Sequence, residues 1–577
     1  MKKLSIVLML AALAGLAAYS NTDYSQFEKP LSKDQEILHA LNRLTFGPRP
    51  GNVEVVRKMG VKKWIDQQLH PERIVENPEL GARLQPLESL QMSAAEIATN
   101  YPPRVVIQAM SKGLMPLPQD ADARQKVELQ LQRLKARQNA NGQGKGRDPL
   151  QQAMRQQVLA TTDPVERRKL VADKAPQQAV AYDLNEAKLY RAIYSNRQLE
   201  EQMADFWFNH FNVYIDKGAD RILTSTYERD AIRPHVFGKF RDLLEATAES
   251  PAMLFYLDNW QSVSSELGQR ELGQRELGQR DIDQKAKLRA KAKQARGLNE
   301  NYARELMELH TLGVDGGYTQ HDIIEVARCF TGWTINQPNR RGEFVYNDRV
   351  HDKGEKTVLG VKIPAGGGRE DAERVLDILA RHPSTAHFIS TKLAKKFVAD
   401  DPPPALIERM AKTFHDTDGD IRAVMSTMLD SREFFSEGAF QAKVKTPLEL
   451  IVSAVRASDA QVDFAIPLAT QIAQLGEPLY RKIEPTGYSS ANSEWVNSAA
   501  LLARMNFALT LTDNRVPGSK VDAIKFADNP AAVARQVLFH EASPQTLDSI
   551  KKALAQREPT PALVAGLVLG SPDFQRR

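Results

Sequence analysis

Apolar positions recur at three- and four-residue intervals along most of this chain, and that period predicts helices. In DQEILHALNRLTFGPRPG (34–51), Ile37, Leu41 and Leu44 form one stripe, and Gly47 followed by Pro48 ends the helix. His39 falls on the opposite, polar face with Glu36 and Arg43. RPGNVEVVRKMGVKKWIDQQLHPE (49–72) reads as a helix, a glycine break and another helix. In SNRQLEEQMADFWFNHFNVY (195–214), Leu199, Met203, Phe206 and Tyr214 share a face, Asn196 offers an N-cap, and Glu200 and Glu201 suit the first turn. YTQHDIIEVARCFTGWT (318–334) opens with Thr319 and Asp322 at capping-box spacing and buries Val326, Cys329, Phe330 and Trp333. Asp420 is placed to cap the helix that follows it. Past residue 335 the period changes: GEFVYND (342–348) and KTVLGVKIP (356–364) are β-rich runs around a charged turn, which predicts a hairpin. The fold class is therefore mainly α, a multi-helix globular body with one small β-hairpin excursion.

Interruptions of the pattern divide the chain. Residues 1–20 have a signal-peptide plan: Lys2 and Lys3, an apolar run from Leu4 to Ala18, and a small-residue cut site after Ser20. A tyrosine, Tyr19, stands where a lipoprotein box would carry cysteine, so a soluble exported chain is expected, periplasmic or extracellular, with no transmembrane span after cleavage. A linker (21–35) leads to an N-terminal helical part (36–110). Residues 111–180 form a basic, Gln-rich helical insertion, with seven Lys/Arg and one acid between Arg124 and Arg147. A helical core (181–260) precedes ELGQRELGQRELGQR (266–280), one pentapeptide written three times within a loop and charged helix (261–297); five residues match no solenoid period. A second helical core (298–340), the β-hairpin (341–368) and a C-terminal helical part (369–577) complete the organisation.

Composition narrows the function classes. The 577 residues carry 77 Lys+Arg against 72 Asp+Glu, a balance that does not suggest a nucleic-acid partner. Cys329 is the only cysteine, which excludes an intrachain disulfide and thiolate-rich metal sites. Gly-rich phosphate loops, a Gly-x-Ser-x-Gly elbow and a haem-attachment motif are absent. The Asp416–Asp420 run has its glycine at the wrong step for a calcium loop, and a single Glu-x-x-His pair, Glu36–His39, does not make a di-iron bundle.

The stretch GLNENYARELMELHTLG (297–313) raises the chemical question. On a wheel at about 100° per residue, Leu298, Tyr302, Leu309 and Leu312 align, Leu306 lies at the margin, and Glu305 falls inside the apolar stripe. A buried carboxylate needs a partner or takes up a proton. His210, near the centre of the apolar face of 195–214, is the candidate partner, directly, through water or across a metal. Metal geometry wants His, Asp and Glu converging from separate elements. That points to His210, Glu305, His351 and Asp352 as candidate ligands of a divalent ion, with Glu305, Glu308 and His310 as candidate proton carriers. The alternative is a structural polar network fixing helix register, for which Asn209, Asn301, Arg304, Trp207 and Trp333 are suited.

HALNRLTFGPRPGNV (39–53), MADFWFNHFNVY (203–214), GLNENYARELMELHTLGVDGGYTQHDIIEVARCFTGW (297–333), HDKGEKTVLG (351–360) and KTPLEL (445–450) resemble, in order, the signature blocks of an uncharacterised bacterial family, domain of unknown function 1800. The resemblance runs from about residue 36 to the C-terminus. It implies an exported, helix-rich protein whose gene neighbours a second exported family of sulfatase- or phosphatase-like appearance, and it names no catalytic residue. It places Trp207, Asn209, His210, Asn301, Arg304, Glu305, His310, Gly332, Trp333, His351 and Asp352 in signature blocks. Two functions are therefore carried forward: an accessory or assembly partner of that co-encoded exported protein, and a metal-dependent hydrolase or related enzyme.

Overall fold

The computed structural model describes residues 23–121, 124–125, 127–132, 149–265, 297–527, 529–555 and 558–577. The signal-peptide plan, the pentapeptide repeat and the middle of the basic insertion lie outside the described residues. Helices dominate, and one continuous apolar core runs from Ile37 to Phe574. No described helix is long and apolar enough to cross a membrane.

Proline sets many of the boundaries. Helices open on Pro176, Pro383, Pro404, Pro447, Pro530, Pro544, Pro561 and Pro572, where the fixed φ suits the first turn and the missing N–H costs nothing. The Thr319–Asp322 capping box forms, and Asp420 caps Ile421–Leu429 through the Ala423 N–H. Asn196 does not cap its helix: Gln198–His210 starts after Arg197, and the Asn196 amide donates instead to the Val75 carbonyl.

The face assignment of Lys33–Leu44 needs correction, because its polar side is buried as well. His39 packs edge-on against Phe434, with ring centroids 4.6 Å apart, and Arg43 donates to the Ala439 carbonyl. C-terminal segments cover what a two-sided wheel leaves to solvent.

The β-rich runs also pair differently from the expected hairpin. Trp333–Asn336 pairs antiparallel with Glu343–Tyr346, and Lys356–Val358 forms its own small hairpin with Val361–Ile363. Gly332 makes the first pairing possible: at φ 86° its Cα passes the Asn347 carbonyl so closely that a Cβ would sit 2.7 Å away. A third two-stranded pair, Gln461–Val462 with Ser519–Lys520, completes the β content among the described residues.

Gln198–His210 runs through the middle of this body, packed against Pro176–Tyr194, Val61–Leu69 and Tyr227–Ile232. Leu199, Met203 and Trp207 are fully enclosed, each apolar side chain contributing about 2 kcal/mol by leaving water. The neighbouring Pro176–Tyr194 helix is tied down by a buried ion pair: Arg168 Nη2 lies 2.8 Å from Asp183 Oδ2, and Asp183 also accepts from Ser89 Oγ at 2.7 Å. Arg168→Met would strand that carboxylate, so we expect equilibrium denaturation to show a loss of about 3–5 kcal/mol, partly recovered in the Arg168→Met/Asp183→Leu double variant.

Candidate functional site

The 297–313 run departs from the helical period on which its stripe was drawn. Asn299 caps an α-helix, Glu300–Glu305, which continues as a π-helix over Leu306–Thr311. The Leu312 N–H bonds the Met307 carbonyl, five residues back, and Thr311 Oγ1 bonds the Leu306 carbonyl. This wider turn rotates later residues away from the 100° wheel. Leu309 ends half-buried, while His310 turns inward and is 2% exposed.

His210 closes its helix at the point where that π-turn passes. Its Nε2 lies 3.1 Å from the His310 backbone carbonyl, and its Nδ1 lies 2.8 Å from Lys392 Nζ. A carbonyl only accepts, so Nε2 carries the hydrogen and Nδ1 is left to accept from the lysine. Burial, and then the Lys392 charge, hold His210 well below the ordinary histidine range. The same two causes bring His310 down to about 3. Both rings are neutral. Among the described residues His310 Nε2 has no hydrogen-bond partner, and its ring packs 5.0 Å from that of Phe211.

Lys392 belongs to Pro383–Phe397 and, among the described residues, has no carboxylate within ion-pair distance. Burial alone pushes its ammonium down to about 8. It lies on the wall of a cavity of about 240 Å³ that also borders His210. The two asparagines flanking His210 build the opposite wall by clamping one loop. Asn209 donates to the Tyr488 carbonyl at 2.8 Å and accepts its N–H at 2.6 Å, and Asn212 donates to the carbonyls of Lys482 and Glu484. Gly487, at φ 70°, passes so close to Asn209 that a Cβ would lie 2.1 Å from its carbonyl oxygen. Only glycine allows the clamp to close.

The carboxylates of the cavity are already committed. Asp205 pairs with Lys188 at 2.8 Å. Glu449 lies just behind the wall, bound to Lys396 and Arg577 at 2.7 Å each; burial would raise its carboxyl, but these cations outweigh it and bring it to about 2. Glu477 accepts the Leu448 N–H at 2.7 Å, and burial, with the Asp205 charge, raises its carboxyl to about 8. Lys392 and the exposed Lys395 are therefore the cations of this cavity without an acidic partner among the described residues.

The other residues singled out in the sequence lie elsewhere. Glu305 does not pair with His210: it is half-buried, makes no hydrogen bond or ion pair among the described residues, and is raised by burial and then by Glu308. Glu308 faces Arg304 at 3.5 Å, Arg304 also donates to Gln320, and Asn301 is exposed. His351 and Asp352 belong to a separate network. His351 Nδ1 donates to the Thr331 carbonyl and its Nε2 lies 3.2 Å from Asp371, while Arg328 grips Asp352 with two hydrogen bonds. Trp207 donates to the Val236 carbonyl, and Trp333 is enclosed between Phe330 and Phe344. The geometry thus gathers His210 and His310, and does not gather His210, Glu305, His351 and Asp352 around one point. Among the described residues, Glu245, Glu249 and Glu373 are the group close enough to share an ion, and each already pairs with Arg241 or Arg369.

Sequence reasoning passed over Lys392, Glu477 and Tyr488. A signal existed for the first: Lys392 and Lys396 lie one turn apart beside Ile389, Leu393 and Phe397, the same intrusion of charge into an apolar stripe that drew attention to Glu305. Glu477 and Tyr488 sit in irregular backbone, where periodicity carries no information.

Comparison with known proteins adds the family and nothing finer. No curated protein and no solved structure matches the chain. One family model, described as a protein of unknown function (DUF1800), matches residues 39–576, which takes in both helical cores, the cavity and its clamped loop. The chain belongs to the DUF1800 family.

Proposed function

We propose that the cavity beside His210 binds a small organic anion, in an exported protein with the accessory role that the family resemblance implies. The observation that carries this reading is the Lys392 ammonium, which faces a neutral imidazole and, among the described residues, has no carboxylate partner. Asp205 is spent on Lys188 and Glu477 retains its proton, so the cavity holds net positive charge. Its volume suits a metabolite-sized ligand. The metal-dependent hydrolase has less support. A metal needs an imidazole lone pair, and at His210 one nitrogen donates to a carbonyl while the other is taken by lysine.

Titration calorimetry with phosphate, sulfate and short carboxylates tests the proposal; no binding by any of them would overturn it. Lys392→Met should weaken binding at least tenfold, about 1.4 kcal/mol. Affinity should fall as pH rises through about 8, because Lys392 loses its proton and Glu477 gains charge over the same interval.

The same residue should cost stability. The Lys392 value in the folded chain lies below its ordinary 10.5, so the penalty on the charged form is complete below about 8 and relieved as pH rises toward 10.5. Lys392→Met should therefore be more stable than wild type by on the order of 1 kcal/mol at pH 7, discounted for partial solvent access. Denaturation at pH 7 and pH 10 should show that gap closing. Glu305→Leu, which breaks no ion pair, should shift stability by less than about 1 kcal/mol. Elemental analysis should find metal well below one ion per chain, unchanged by His210→Ala.

A further inference from the structure

We infer that the Lys392 amine is a nucleophile that condenses with a carbonyl carbon of the anion held in this cavity, forming an imine. This rests on the binding reading above and names its ligand class: a small anion bearing an aldehyde or ketone.

The argument starts from the hydrogen bond to His210. Nδ1 can only accept, because Nε2–H is held by the His310 carbonyl. A neutral amine has two N–H bonds and one lone pair. With one N–H held by Nδ1, the lone pair and the other hydrogen are left to face the cavity that Lys392 lines. The imidazole therefore orients the amine without competing for its lone pair.

The surroundings also favour the neutral amine. From its own helix Lys392 meets Lys395 and Lys396, of which Lys396 is paired with Glu449. From the other elements it faces the neutral rings of His210 and His310, and it shares the cavity lining with the Lys188–Asp205 pair, the protonated Glu477 and the Tyr488 phenol. Among the described residues no unpaired anion holds the ammonium, and burial brings it to about 8, so an appreciable fraction is uncharged near neutral pH.

The step balances without an oxidant or reductant. The amine lone pair adds to the carbonyl carbon, the C=O π pair moves to oxygen, and that oxygen takes a proton. The nitrogen gives up one proton to leave a neutral carbinolamine, which expels its hydroxyl with a second proton as water while the nitrogen lone pair closes the C=N bond; loss of the remaining N–H proton leaves the imine. The net change is amine plus carbonyl to imine plus water. Glu477, on the same cavity, keeps a transferable proton at neutral pH. A protonated imine retains one N–H, which the same Nδ1 accepts, so His210 serves ammonium, amine and iminium in one position.

Reductive trapping of the full chain tests this. The probes are glyoxylate and pyridoxal 5′-phosphate, with acetaldehyde as the uncharged control, reduced by cyanoborohydride and read by intact mass and peptide mapping. One adduct per chain is expected, on Lys392, formed at least tenfold faster than on exposed lysines such as Lys412. The rate should fall at least tenfold from pH 8 to pH 6, inorganic phosphate should slow it, and acetaldehyde should show no such preference. Lys392→Arg should abolish the adduct; if that variant does not fold, mapping of the wild-type adduct decides alone. Adducts spread over surface lysines without preference for Lys392 would overturn the inference. Phosphate calorimetry on the unmodified chain separates the two proposals. Phosphate binding without Lys392 labelling removes the imine and leaves the site, whereas absence of both removes both.

Discussion

The site depends on one hydrogen bond, from His210 Nε2–H to the backbone carbonyl of His310. It selects the tautomer, and the tautomer decides what Nδ1 can do. With Nδ1 reduced to an acceptor, Lys392 has a fixed partner that is neither an acid nor a competing cation. The carbonyl is free to accept because His310 lies in the last turn before the helix ends at Thr311, where backbone carbonyls have no partner within their own helix.

Around this bond, burial decides the charge states. Both histidines are neutral because charging them in the interior costs more than any neighbour returns. Glu477 keeps its proton for the same reason, strengthened by Asp205. Lysine, which ordinarily has charge to spare, is weakened by burial alone. Paired groups behave otherwise: Glu449 stays ionised because Arg577 and Lys396 more than offset its desolvation. The difference between a paired and an unpaired buried ion separates structural carboxylates from an available amine in one small region.

Asn209 and Asn212 show how one four-residue stretch divides its labour. In Asn-His-Phe-Asn, both amides hold the 482–488 loop, Phe211 packs against His310, and His210 faces the lysine. The motif thus attaches the cavity wall and orients its chemical group in four residues. The sequence reading linked His210 to Glu305, whereas in the structure the contact from that stretch to His210 comes from His310. His310 supplies it through its backbone.

The mainly α fold, the Thr319–Asp322 box and the Asp420 cap were legible in the chain alone, because each depends on residues within one or two turns. So was the inward position of His210, which follows from its place on an apolar face. The buried polar side of Lys33–Leu44 was not, since residues 434–440 cover it from nearly four hundred positions away. Nor was the strand pairing, the dispersal of His351, Asp352 and Glu305 into separate surroundings, or the meeting of His210 with Lys392, 182 residues apart. Local pattern determines which face of an element avoids water; which group it then meets depends on long-range packing, and at 306–311 that packing accompanies a turn the regular period does not describe.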